Sequence, residues 1–180
     1  GRTRTRFMSK RSEHRNSLIN ELFGDLRINQ VGRLLYGAHA FKGYFLFERL
    51  QPSSVSDCWH IDGILDQYKA MILLEDVGEE QGPMFFKPAT KSLLNKELRP
   101  LLHTTYAYGR NWGCYPTYKI IDDLGIDTYK ATGKAGDAIF FDTLNVHRGS
   151  ICEKGNRLGL VSYLGLETSK NQILRLLGTQ

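Results

Sequence analysis

Apolar residues follow two different periods along this chain. Between residues 13 and 35, Leu18, Ile19, Leu22, Phe23 and Leu26 recur at helical spacing, which predicts a helix. Ser12 or Asn16 is placed to cap its start, and Gly24 weakens its middle. After Gly37 the pattern changes to short extended runs. Phe41–Leu50 is rich in aromatics, Val55–Asp62 follows, and Tyr68–Val77 is bounded by Gly63 and by Gly78–Gly82. Pro83–Pro88, Thr128–Thr132, Ala138–Asp142 and Arg157–Leu166 complete the predicted strands, with a turn at Lys134-Ala135-Gly136-Asp137 before the third of these. A second helix is predicted over residues 91–103, where Pro100 ends or kinks it. Residues 104–128 are aromatic and Gly-rich and take no clear period. One or two helices followed by many short strands predict a mainly β double sheet, a sandwich or barrel, with the N-terminal helix packed on it.

Composition narrows the class. The chain has 180 residues, 41% apolar and 24% charged, as a single soluble globular domain would. No run is long and apolar enough to span a membrane. The net charge of +5 comes from 24 Lys and Arg against 19 Asp and Glu. Residues 1–11 carry five of those basic residues and no acid, so the remainder is balanced. Residues 1–12 therefore read as a basic, disordered tail before a single domain over 13–180. Such an arm can bind nucleic acid, but a solvated end is the commoner outcome. Three widely spaced cysteines, Cys58, Cys114 and Cys152, form no disulfide framework or C-x-x-C zinc pair, which suits a reducing, cytoplasmic setting.

The candidate chemistry begins at Trp59-His60-Ile61-Asp62. In a strand, residues two apart share a face, so His60 and Asp62 would project together. An imidazole and a carboxylate make two thirds of a facial triad for non-haem iron. The pair alone fits a capping His near a turn Asp equally well. His147 lies 85 residues beyond Asp62, after the apolar run Ala138–Phe141, and is placed to supply a third ligand once early and late strands pair. Arg157 opens a strand in which Gly159 and Val161 share its face. An inward Arg is costly unless a carboxylate meets it. That carboxylate can belong to a ligand or to the protein.

Together the residues read H-x-D, then G-D-x-x-x-F-D, then H-R-G and R. This combination resembles the phytanoyl-CoA dioxygenase-like family of Fe(II)/2-oxoglutarate-dependent oxygenases. The resemblance runs from His60 to Leu166 and includes Lys69 leading its apolar strand, Glu79-Glu80-Gln81-Gly82-Pro83-Met84, and Lys134 through Gly149. It implies a double-stranded β-helix (jelly-roll, cupin-like) core. His60, Asp62 and His147 would hold Fe(II), and Arg157 would bind the distal carboxylate of 2-oxoglutarate. The implied activity is hydroxylation of a small molecule, with 2-oxoglutarate and O2 converted to succinate and CO2. Family members often carry a Ser or Thr near the distal His that helps bind 2-oxoglutarate, and Ser150 is the candidate here. Lys69 has two readings: inward, against 2-oxoglutarate or an anionic substrate, or outward into solvent.

The chain departs from the family at Ala89-Thr90-Lys91, where a G-S/T-H signature is usual after the proline. Two other readings stand beside the oxygenase. One is a cupin-like protein that binds a metal or ligand without turnover. The other is a dioxygenase demethylating nucleic-acid bases, against which stands Tyr163, where that family carries a second Arg. Cys58 reads as a small core residue or as a thiol near the metal, and residues 104–128 as a lid or as packing over the sheet.

Overall fold

The β-period segments pair into two antiparallel sheets. A computed structural model describes residues 4–10, 30–31, 34, 40–52, 58–62, 67–93, 119 and 121–166. Its strands are β1 (Arg4–Lys10), β2 (Ala40–Leu50), β3 (Gln67–Leu73), β4 (Met84–Lys87), β5 (Tyr129–Ala131), β6 (Ala138–Asp142), β7 (Val146–Gly149) and β8 (Arg157–Leu166). The larger sheet runs β1-β2-β8-β3-β6 and the smaller β5-β4-β7. His60 adds a further antiparallel bridge beside β7. The chain thus passes back and forth between facing sheets, as in a double-stranded β-helix. The predicted mainly β, cupin-like core is what the structure has.

Side-chain alternation sorts each strand between two apolar layers. Leu46, Met71, Leu73 and Val161 of the larger sheet meet Met84 and Phe86 of the smaller one between the sheets. Trp59, Ile61, Leu144 and Val146 form a second cluster with Ile121, and Phe85 packs against it. Burying each such side chain contributes roughly 1.5–3 kcal/mol. The larger sheet is buried on its second face as well, at Tyr68, Ala70, Leu160 and Ser162.

The boundaries of β2, β4, β5, β6 and β8 follow the predicted runs closely. Two differences are informative. Residues 4–10, expected within a disordered tail, form β1 and pair along β2 from Arg4 opposite Leu50 to Lys10 opposite Tyr44. The alternation of Arg with Thr and Phe is a strand pattern, which the density of charge obscured. Val146–Gly149, for which no strand is predicted, is β7, held between β4 and His60. The helix expected over 13–35 lies outside the described residues except at Gln30, Val31 and Leu34, which are helical. That expected over 91–103 begins as the short helix Thr90–Leu93, and its remainder lies outside them, as does 104–118.

Gly82 ties the sheets together at one end. Its φ of 72° lies in the left-handed region, and a Cβ there would stand 2.8 Å from Leu50 Cδ2 and 3.1 Å from Cys152 Cα. Gly82→Ala is expected to cost about 2 kcal/mol through backbone strain and overlap. Urea unfolding checks this, and a midpoint equal to wild type would show that the turn relaxes freely.

Candidate metal centre

His60 and His147 are joined before their side chains are considered. Each donates its backbone N–H to the other's carbonyl, both at 3.0 Å, so the two residues form a hydrogen-bonded cross-strand pair. The pairing turns both side chains to one face and brings their ring centroids to 4.5 Å. Alternation along 59–62 sends Trp59 and Ile61 into the outer apolar cluster and His60 and Asp62 inward. Asp62 donates its N–H to the carbonyl of Thr143 at 3.2 Å, and Thr143 donates its own to the carbonyl of Gln67 at 2.9 Å. That chain of bonds ties Asp62 to the start of β3, where Lys69 follows.

One ligand atom from each of His60, Asp62 and His147 lies within 4.8 Å of the others. The tautomers follow from the hydrogen bonds. His60 Nδ1 donates to the carbonyl of Cys58 at 2.7 Å, and His147 Nδ1 to that of Asn145 at 2.9 Å. With Nδ1 so committed, each ring when neutral turns an Nε2 lone pair toward the carboxylate, at 3.6 Å from Asp62 Oδ1 for His60 and 3.2 Å from Oδ2 for His147. Lone pairs facing carboxylate oxygens without a proton between them call for a cation. Lys69 supplies one charge, its Nζ in ionic contact with Asp62 Oδ2. That oxygen is buried and outside hydrogen-bond geometry with its neighbours. A divalent metal fits this donor set, with the backbone carbonyls fixing each imidazole from behind.

Burial and charge set the ionisation. Burial, with His147 alongside, pushes His60 from 6.5 down to about 4, so the ring is neutral at neutral pH. Burial works against the Asp62 charge, but Lys69 and the two imidazoles outweigh it and hold the carboxyl well below its usual range. Phe141 meets the His147 ring edge-on at 5.1 Å and Phe86 stacks at 6.1 Å, which keeps water from that side.

The other expected residues fall in separate places. Lys69 joins the triad, taking the inward of its two readings. Arg157 is buried at the far end of the same interior, donating to Glu48 Oε1 at 2.7 Å and to the carbonyl of Gly82. Ser150 lies on the outer side of the smaller sheet, beside Glu79, Phe85 and Arg148, away from the triad. It stands three residues from His147, and an odd separation reverses the face. Cys58 is disulfide-bonded, contrary to the expected free thiol, while Cys152 is free and buried.

Glu48 was not anticipated. The clue available was an acid between Leu46 and Leu50, on the face that carries the core. Two further cations brace the outer cluster: Arg148 lies between Trp59 and Phe85, at 4.8 and 5.0 Å from their ring centroids, and Lys87 sits 5.6 Å over Trp59.

No protein-family model matches this sequence, and no curated protein matches it significantly. Solved structures do share the fold. AviO1 from Streptomyces viridochromogenes Tue57 superposes with a TM-score of 0.67 at 13% identity, covering 91% of this chain and 67% of that one. The epimerase SnoN, in complex with Fe3+, alpha ketoglutarate and nogalamycin RO, gives 0.66 at 16%, covering 93% and 69%. HygX from Streptomyces hygroscopicus, with nickel and 2-oxoglutarate bound, gives 0.67 at 14%, covering 93% and 72%. At these identities the likeness establishes the fold, a double-stranded β-helix.

The lowered His60 value predicts how the metal-free protein responds to acid. Between pH 6.5 and about 4 the unfolded chain binds a proton at this ring that the folded chain does not. Its contribution to stability is complete above pH 6.5 and is lost as pH falls through about 4. Thermal melting of the metal-free protein should fall across that window, and His60→Gln should flatten the slope. An equal slope in the variant would assign the acid sensitivity elsewhere.

Proposed function

We propose that this chain is a non-haem Fe(II)/2-oxoglutarate-dependent dioxygenase that hydroxylates a small molecule. The observation that carries the reading is the buried His60–Asp62–His147 cluster with both Nε2 atoms turned to one point. Three protein ligands on one side of a metal leave positions for a chelating cosubstrate and O2. The similar structures add support, since SnoN is a complex with Fe3+ and alpha ketoglutarate and HygX has nickel and 2-oxoglutarate bound.

Bound Fe(II) would supply the oxygen chemistry, coupled to conversion of 2-oxoglutarate to succinate and CO2. The protein's part is position and charge. His60 and His147 enter as neutral donors, and Asp62 contributes one negative charge. With a divalent ion and Lys69, the centre carries a surplus of two positive charges, which a dianionic 2-oxo acid neutralises. Lys69 keeps Asp62 ionised and oriented and attracts the cosubstrate. Arg157, the second buried cation of the interior, takes the distal carboxylate. Ser150, on the outer side, has no part in this scheme. Phe86 and Phe141 shield the reacting region from water.

Among the described residues no helix is long and apolar enough to cross a membrane. The small-molecule substrate rests on the enclosed centre and on the balanced charge of the chain beyond its first residues.

Succinate formation from 2-oxoglutarate by anaerobically loaded protein, then exposed to O2, tests the assignment. Wild type should turn over. Asp62→Ala should lose metal affinity by at least about 100-fold, and its turnover with it. Arg157→Ala should raise the 2-oxoglutarate concentration required. Turnover that survives in Asp62→Ala would contradict the assigned centre.

A further inference from the structure

Arg157 already holds a carboxylate. Its guanidinium donates to Glu48 Oε1 at 2.7 Å and to the carbonyl of Gly82, and both charged residues are buried. Two charges taken out of water are tolerable as a pair and costly apart. A ligand carboxylate arriving at Arg157 therefore meets a guanidinium whose charge is matched.

The strand register shows where Glu48 stands. At the metal end of the interior, Lys69 pairs with Tyr163. The next inward layer is Met71, Val161 and Leu46, the one after it Leu73, Gly159 and Glu48, and the last Arg157 with Leu50. Glu48 is thus one layer nearer the metal than the arginine it pairs with. Opposite it is Gly159, which contributes no side chain. A diacid chelated at the metal and extended toward Arg157 passes the Met71 layer and meets the Glu48 layer before that of Arg157.

We infer that Glu48 is an internal competitor for the cosubstrate's distal carboxylate. It occupies the guanidinium in the empty protein and must yield or share Arg157 when 2-oxoglutarate binds. This inference rests on the cosubstrate assignment above. It makes Glu48 a specificity-determining residue. Two carboxylates on one buried guanidinium repel each other, so Glu48 weakens binding of 2-oxo diacids and leaves 2-oxo monoacids untouched. The centre consequently discriminates less between the two classes than an unopposed arginine would.

The test uses full-length protein loaded with Zn(II), titrated calorimetrically with 2-oxoglutarate and with 2-oxobutyrate, which lacks the distal carboxylate. Glu48→Gln keeps a hydrogen-bond acceptor beside Arg157 and removes the charge. It should bind 2-oxoglutarate about tenfold tighter, with 2-oxobutyrate unchanged. An unchanged ratio of the two affinities in a folded variant overturns the inference while leaving the cosubstrate assignment intact. If Glu48→Gln does not fold, the wild-type protein decides by the carbon-13 resonance of the Glu48 carboxyl. Saturation with 2-oxoglutarate should shift it and 2-oxobutyrate should not, and no shift with 2-oxoglutarate overturns the exchange. Failure of both acids to bind wild type and variant alike removes the cosubstrate assignment itself, and the exchange with it.

Discussion

Two imidazoles and one ionised carboxylate share a buried point between two sheets, and their mutual electrostatics constrain everything nearby. A carboxylate in such a place would normally be neutralised by taking a proton. Here Lys69 keeps it charged, and burial keeps His60 neutral, while the Nδ1 atoms of both imidazoles are anchored to backbone carbonyls. The result is a set of lone pairs held toward one another at a cost that a bound cation relieves. Metal binding and folding stability are therefore coupled at this point, because an ion held only by the folded chain stabilises it.

The β-helix makes that arrangement affordable. Among the described residues His60 is held by a two-way backbone pairing with His147. His147 in turn sits opposite Phe86 in β4, so its position is fixed by the smaller sheet. Asp62 is held through Thr143 to β3, in the larger sheet. The centre thus draws on both sheets, and a change in their spacing would open it. The Gly82 turn, with its carbonyl on Arg157, fixes the opposite end of the same interior.

Much of this was legible in the residues. The H-x-D pair, the run Ala138–Asp142 and the start of β8 at Arg157 could be read because alternation and turn chemistry are local. That His60 and Asp62 share a face followed from strand alternation alone. What escaped was non-local or masked by composition. The partner of Arg157 lies on β2, more than one hundred residues earlier in the chain. Nothing near Arg157 distinguishes a ligand carboxylate from Glu48. β1 was hidden by its arginines, and β7 by the polar residues that make it chemically useful. Ser150 shows how register decides such placements, because one residue more or less moves a side chain to the other side of a sheet.

Equilibrium dialysis of the full chain against Fe(II) under anaerobic conditions, beside His147→Ala, tests the central claim most directly. The three-ligand centre predicts one tightly held ion per chain in wild type, and loss of that ion in a variant whose circular dichroism is unchanged. Equal retention of iron by the folded variant would contradict it and place the metal elsewhere.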